Sequence, residues 1–451
     1  NEPLVGNFEG VGIQFNILKD TIVVLNTISG GPSEKVGIMA GDKVITVDGE
    51  KVAGIGIKNQ GVMDLLRGKK GTKVEVEMKR KGRNKPLEFA ITRDKIPLFS
   101  MDASYKLDDK TGYIKINRFA SSTAKEFREG LLKLKEENIE NLVLDLRGNS
   151  GGYLNAALEL SNEFLDSRKL IVYTEGRAYP RQDAYTDHSG NWTDGRLIVL
   201  IDEGSASASE IVSGAVQDWD RGLVIGRRSF GKGLVQRPFP LPDGSAIRLT
   251  VQRYYTPSGR SIQRSYEGGL EDYYKENSRR LKSGELTDGK FEEFPDSLKY
   301  FTKGKRVVYG GGGIMPDIFV PLDTNFISDL YQQVVGKGII NQFAITYVNK
   351  NREDLHKDYP TSSAFAANYD GGDKLWKEFI KYAETEKVEV ANDDEATSKP
   401  RLSRLLDALI ARNLWDTEAY FKVMNKKDPA IERALSAFRD GTFEQMKIAS
   451  N

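Results

Sequence analysis

Three residues able to take part in group-transfer chemistry stand close together in GSASASEIVSGAVQDWDRGLVIGRRSFGKGLVQ, residues 204–236: Ser207, Lys232 and Gln236. A serine hydroxyl becomes a nucleophile when a neighbouring base removes its proton, and a lysine amine can serve as that base once desolvation has lowered its pKa. The elements around them follow from pattern. RLIVLI (196–201) is short, apolar and β-branched, which predicts a buried strand, and Asp202, Glu203 and Gly204 end it. Ile211, Val212, Ala215, Val216 and Trp219 then recur at helical spacing, with Ser207 and Glu210 as an S-x-x-E capping box. Ser207 therefore falls where a strand passes into a helix, beside unpaired amides and the positive end of the helix dipole. Such a place stabilises a developing oxyanion.

Each residue also has a plain structural reading. An isolated S-x-x-E is most often only a helix cap, and a lysine between glycines is often a solvated turn residue. Residues 226–232 spell G-x-x-x-x-G-K, close to a phosphate-binding loop, but position 233 is Gly, so the magnesium-ligating hydroxyl is missing. The loop also runs into the β-like segment LVQRPF, where a phosphate site needs a helix N-terminus. Nucleotide binding is accordingly given little weight.

The strings G-S-A-S-A-S-E-I, D-R-G-x-V-I-G and F-G-K-G-x-V-Q, with Lys232 25 positions after Ser207 and Gln236 four further on, resemble the carboxyl-terminal processing (tail-specific) serine peptidases. The resemblance implies Ser207 as nucleophile, Lys232 as its general base and Gln236 as the residue orienting the lysine amine. Ser205 and Ser209 compete for the nucleophile's place, and spacing does not exclude them. The family's D-L-R-x-N-x-G-G loop, here NLVLDLRGNSGG, implies one oxyanion amide from Gly151 or Gly152, the other coming from Ala208. Gly148 and Ser150 replace the more usual Asn and Pro of that loop, which leaves the choice between the two glycines open. Read alone, RGNSGG is a strand-to-helix turn.

Composition narrows the alternatives. At 451 residues the chain exceeds one ordinary core, and two to four domains are expected. With 66 basic and 65 acidic residues its net charge is +1, which indicates no nucleic-acid or anionic-membrane partner. The absence of cysteine removes disulfide and thiolate-metal chemistry without fixing the compartment. Only His188 and His356 could supply imidazole, and both lie in polar, surface-like stretches, so a Ser/His/Asp triad and a His-rich zinc site are poorly supplied. No metal or cofactor is expected. No segment approaches the roughly 20 apolar residues of a membrane span. The chain starts at Asn1 rather than Met, which is expected of a processed or trimmed form.

The expected fold class is multidomain α/β. Residues 1–95 form a β-rich module, with strand-like FEGVGIQF and DTIVVLNTI and a helix near 58–67 carrying Val62, Leu65 and Leu66. A-G-D-K-V-I-x-V-D-G in particular makes this block similar to a PDZ domain. That similarity implies capture of a peptide's terminal carboxylate by Gly10, Val11 and Gly12, with the peptide adding as a strand along Ile13 and Phe15. The bland reading of those glycines is a tight turn.

A hinge near 95–109 leads to a protease domain, 96–322, of the crotonase/Clp-protease-like α/β type implied by the resemblance. Its elements include strand 112–119, helix 124–136, strand 141–146, a hairpin through Pro242, Asp243 and Gly244, and a charged, solvated helical arm about 265–305. Y-Y-T-P-S-G-R-S-I-Q and GGGGIMPDIFV add to the family resemblance, which covers about 5–322. Residues 323–451 read as a helical C-terminal domain, with Leu375, Trp376, Phe379 and Ile380 on one face and Leu402, Leu405, Leu406, Leu409 and Ile410 on another. This domain is expected to pack on the protease or to mediate assembly as a homo-oligomer.

The reaction implied is endopeptidase cleavage of protein or peptide substrates with exposed, apolar C-termini, in a bacterial periplasm or cell envelope. The alternative is a non-catalytic PDZ scaffold that keeps the protease fold. Intact Ser207, Lys232 and Gln236 argue against it.

Overall fold

A computed structural model of the chain describes residues 6–18, 20–28, 30–291 and 295–448. Five antiparallel strands follow one another in the N-terminal module: β1 (Ile13–Leu18), β2 (Thr21–Thr27), β3 (Lys43–Val47), β4 (Lys73–Lys79) and β5 (Leu87–Thr92). Helix α1 (Asn59–Leu66) closes the core with Val62 and Leu66, which pack with Val11, Ile22, Val44 and Val76. Strand β4 reads KVEVEMK, and its alternate residues Val74, Val76 and Met78 are the buried ones, as a half-buried strand requires.

A six-stranded sheet carries the next region. In chain order its strands are β6 (Met101–Lys106), β7 (Thr111–Ile116), β8 (Asn141–Asp145), β11 (Arg196–Ile201), β12 (Leu223–Gly226) and β15 (Ile318–Phe319), and they also lie side by side in that order. All neighbours are parallel except β6 and β7. Helices α2 (Thr123–Glu136), α3 (Leu154–Asn162) and α4 (Ala208–Asp218) cover one face, where Phe127, Leu131, Leu160, Ile211 and Val212 meet Ile114, Leu144 and Val199. Strands such as RLIVLI are apolar after their first residue, Arg196, because both faces of the sheet are covered. A second, antiparallel sheet orders its strands as β10 (Tyr179–Tyr185), β9 (Leu170–Gly176), β14 (Ala246–Tyr255) and β13 (Leu234–Pro240).

The expected charged arm contains helix α5 (Gly269–Lys282), but one side of it is not solvated. Tyr273, Glu276 and Arg280 are buried, and Arg280 donates to the carbonyls of Arg228 and Ser229 just ahead of Lys232. Glu292, Glu293 and Phe294 of this arm lie outside the described residues.

The C-terminal region is helical: α6 (Asp329–Gly336), α7 (Ile339–Asp358), α8 (Ser362–Asn368), α9 (Gly372–Thr385), α10 (Asn392–Leu414), α11 (Thr417–Met424), α12 (Pro429–Ala437) and α13 (Thr442–Gln445). Leu375, Trp376 and Phe379 of α9 share one core with Leu402, Leu406, Leu409 and Ile410 of α10, so the two apolar faces read from sequence face each other. α12 and α13 do something else. Their Ala430, Ile431, Ala434 and Phe443 cover the second face of the six-stranded sheet, against Tyr113, Val143, Ile198 and Ile225. A division of the chain near residue 322 therefore separates the sequence but not the packing. Among the described residues, no helix is long and apolar enough to cross a membrane.

Candidate active site

Strand β11 ends at Ile201, and a tight turn delivers the chain to Ser207, whose φ of 56° and ψ of −111° lie in a region costly for a residue with a Cβ. Such a conformation costs about 1–3 kcal/mol and persists only where its surroundings enforce it. Glu210 enforces it here. The Glu210 carboxylate is fully buried and accepts four hydrogen bonds: from the Ser207 amide (2.8 Å), the Lys232 amide (2.9 Å), the Gly231 amide (2.7 Å) and the Ser229 hydroxyl (2.5 Å). The expected capping contact from Glu210 to Ser207 thus exists, and the same carboxylate also fastens the Lys232 loop to the Ser207 turn. Burial raises the pKa of Glu210, with the four donors opposing that rise.

Tyr254 makes the matching link through carbonyls. Its buried hydroxyl lies 3.1 Å from Ser207 O and 2.5 Å from Lys232 O. Burial, followed by the nearby charge of Glu210, pushes the phenol well above its ordinary pKa, so it stays a donor. Ser207 and Lys232 are therefore linked through both amides to Glu210 and through their carbonyls to the single proton of Tyr254, which is shared between them with Lys232 O the nearer. The amides that resemble a phosphate-binding loop already hold an anion, and that anion is Glu210.

The three serines of the motif are now distinguishable. The Ser205 hydroxyl donates to Leu146 O (2.9 Å) and the Ser209 hydroxyl to Asn149 O (2.8 Å), and both residues are completely buried. Ser207 is partly exposed. The two neighbours serve as struts between the turn and the glycine loop.

That loop, 147–152, packs directly on the serine turn. A Cβ added at Gly151 would lie 2.8 Å from Ser207 Cβ, 2.8 Å from Ala206 O and 3.0 Å from Ala208 N, and Gly151 itself has a φ of +97°. Only glycine fits there. Asn149 holds the arrangement: its carbonyl accepts from the Ala206 amide (3.0 Å), and its side chain bonds Ile116 O (3.0 Å) and the Gly151 amide (2.9 Å). Of the two candidate oxyanion donors in the loop, Gly151 is thus engaged. The amides of Gly152 and Ala208 have no acceptor among the described residues.

Lys232 is half-buried, and its amine forms no hydrogen bond or ion pair among the described residues. Gln236 stands apart from this cluster. It lies exposed on β13, opposite Thr250 and next to a register shift, and no hydrogen bond joins its side chain to Lys232. The structure brings Ser207, Lys232, Ala208 and the glycine loop together; it does not bring Gln236 to the lysine.

In the N-terminal module β1 is the edge of its sheet. The loop before it bonds inward through carbonyls, Gly12 O accepting from Ile28 N and Val11 O from the Ser33 amide and hydroxyl. The amides of Val11 and Gly12 have no acceptor among the described residues. Ile13, Phe15 and Ile17 are half-buried and pack on the same core as Val62 and Leu66 of α1, which gives an apolar border to an open strand edge.

Sequence reasoning missed Asn149 and Tyr254 as parts of the site and saw Glu210 only as a helix cap. Their signals were present in N-S-G-G, R-Y-Y-T-P and S-x-x-E, but their partners lie in other segments.

Comparison with known proteins agrees with these elements. Residues 110–274 match the model of Peptidase family S41, residues 10–91 that of the PDZ domain, and residues 330–416 a family of unknown function (DUF8443). A carboxy-terminal-processing protease of Bartonella bacilliformis is 36% identical over 325 residues, spanning 70% of this chain and 72% of that protein. A carboxyl-terminal-processing protease of Synechocystis sp. is 33% identical over 316 residues, with 68% and 72% covered. A solved photosystem II D1 C-terminal processing protease shares 33% identity over 57% of this chain and 70% of its own, with a TM-score of 0.34. None of these similarities favours a non-catalytic scaffold. With its S41 domain behind a PDZ domain, the chain belongs to the carboxyl-terminal processing proteases of peptidase family S41, which makes it a serine-type peptidase.

Proposed function

We propose that this peptidase uses Ser207 and Lys232 as its catalytic dyad. The observation that carries the reading is the double tie between them, amides to Glu210 and carbonyls to Tyr254, which spans two segments that are separate in sequence. The Lys232 amine takes the proton from Ser207 Oγ as the oxygen attacks the scissile carbonyl carbon. The resulting oxyanion is held by the amides of Ala208 and Gly152, while Gly151 shapes the loop. Lys232 returns the proton to the departing nitrogen, the C–N bond breaks, and water hydrolyses the acyl-enzyme. Gln236 orients the lysine amine once substrate draws β13 inward.

Substrate enters by its C-terminus. The open edge of β1 accepts an extended peptide, the free amides of Val11 and Gly12 beside Gly10 take the carboxylate, and Ile13 with Phe15 meets an apolar terminal side chain. An exported location, in the periplasm or cell envelope, accompanies this reading on family resemblance.

The test compares hydrolysis of one unfolded protein bearing a free apolar C-terminus by the parent chain, Ser207→Ala and Lys232→Ala. Both variants are expected to remain folded by circular dichroism and to lose cleavage. Parent-like cleavage by Lys232→Ala would remove the dyad, and parent-like cleavage by Ser207→Ala would remove the serine mechanism. Amidating the substrate's C-terminus is expected to raise KM.

A further inference from the structure

One side chain at the head of α12, Asp428, reaches the glycine loop directly. Arg147 opens the glycine loop, and its guanidinium is shared between two carboxylates. Nε and Nη2 bond Asp145 at the end of β8 (3.1 and 2.7 Å), and Nη1 bonds both oxygens of Asp428 (3.0 and 2.9 Å), which is 281 positions away in sequence. The pair with Asp428 is largely sheltered, with side-chain exposures of 19% and 23%. An arginine fork held at both ends has little freedom to swing.

The main chain that Arg147 anchors reaches the site within two residues. The Arg147 carbonyl accepts from the Lys115 amine, the Gly148 amide donates to Asp202 (2.8 Å), and Asn149 then holds both Gly151 and Ala206. The other polar contacts of the C-terminal helices with the sheet among the described residues, Glu418 to the Ser104 amide, Asn425 to Tyr105, and Arg196 to Phe438 O and Glu444, fall on β6 and at the start of β11, away from this loop.

We propose that Asp428 is a positioning residue for peptide-bond hydrolysis: through Arg147 it sets the glycine loop that presents the oxyanion amide, so the helical C-terminal region is a working part of the protease. The inference rests on the assignment of that loop to the oxyanion in the preceding section. Asp428 has a second role that must be separated from this one, because its Oδ1 also caps α12 by accepting from Ala430 and Ile431. Serine and asparagine keep a cap but remove the charge.

The experiment measures kcat, KM and the affinity of a peptide boronate for the full-length parent, Asp428→Asn, Asp428→Ser, Asp428→Glu and Ser207→Ala. A boronate forms a tetrahedral adduct and so reads oxyanion geometry, whereas binding of an uncleaved C-terminal peptide does not. The expected result is a kcat about 10- to 100-fold lower for Asn and Ser at parental KM, a parallel loss of boronate affinity, unchanged peptide binding and partial rescue by Glu. Melting temperatures show whether the cap is kept. Parental kcat and boronate affinity in both cap-preserving variants would overturn the proposal while Ser207→Ala stays inactive. Parent-like cleavage by Ser207→Ala would instead overturn the serine-protease reading on which it rests.

Discussion

The turn at Ser207 and the ribbon carrying Gln236 hold opposite ends of the same expected triad, yet they are built differently. Around Ser207 the side chains that hold the turn are all bonded: Glu210 accepts four donors, Ser205 and Ser209 are buried struts, and Asn149 fastens the glycine loop. Gln236 lies on a hairpin whose other strand meets β9 through the pairing of Arg253, Tyr254 and Tyr255 and through the buried Gln252 side chain, which donates to Thr174 (3.0 Å). The hairpin's distal end, 236–250, is exposed and presents Phe239, Leu241, Ile247 and Leu249 to solvent. The geometry of the Ser207 turn is thus set by folding. On the reading proposed above, the glutamine's contribution is completed only when substrate arrives.

The comparison breaks most visibly at Gly151. Gly151→Ala places a Cβ against Ser207 and Ala206 at a φ that disfavours it, and kcat/KM is expected to fall about 1,000-fold, comparable to loss of an oxyanion donor. Near-parental rates would mean that the turn yields and is not prebuilt.

Glu210→Gln replaces a four-fold acceptor with a group that must itself donate, and about a 100-fold loss of kcat is expected. Its pH dependence sharpens the point. Burial raises the folded-state pKa of Glu210, so stability from this group is fully present below the ordinary glutamate value and is lost as pH rises through the folded one. Activity moves the other way, because the protonated acid cannot accept all four donors. The acid limb of kcat is expected above the ordinary glutamate range in the parent and absent in the variant, as a pH–rate profile would show.

Gln236→Ala probes the other end. About a tenfold loss of kcat is expected, with the melting temperature within about 1 °C of the parent, since the side chain is exposed. A loss as deep as that of Lys232→Ala would show that the ribbon is already docked in the resting enzyme.

The smallest effect is expected at Asp407, a half-buried carboxylate whose Oδ1 has no hydrogen-bond partner among the described residues, unlike Glu210. Burial, and then Asp370, raises its pKa to about 7. Stability from this group is therefore fully present below about pH 4 and is lost as pH rises through about 7. Asp407→Asn is expected to raise the melting temperature at pH 8 and to leave hydrolysis unchanged, which thermal melts and a single rate measurement would check.

Much of this molecule is legible in local pattern. RLIVLI, the capping box and KVEVEMK each specify their element through neighbours only a few residues away, and G-S-A-S-A-S-E-I with F-G-K-G-x-V-Q marks the chemistry. A polar arm such as α5 is harder to read, because its buried Tyr273, Glu276 and Arg280 are chosen by the loop it lands on.

The sequence by itself determined the strand–turn–helix that carries Ser207, the exclusion of cysteine chemistry and the supply of only two imidazoles, since these depend on residue type and short-range spacing. Tertiary structure alone decided which of three serines is left partly exposed, that the Gly151 amide is taken by Asn149, and that Asp428 reaches Arg147. A hydroxyl, an amide or a guanidinium bonds to whatever the fold brings within about 3 Å, and those partners come from segments that no local pattern connects.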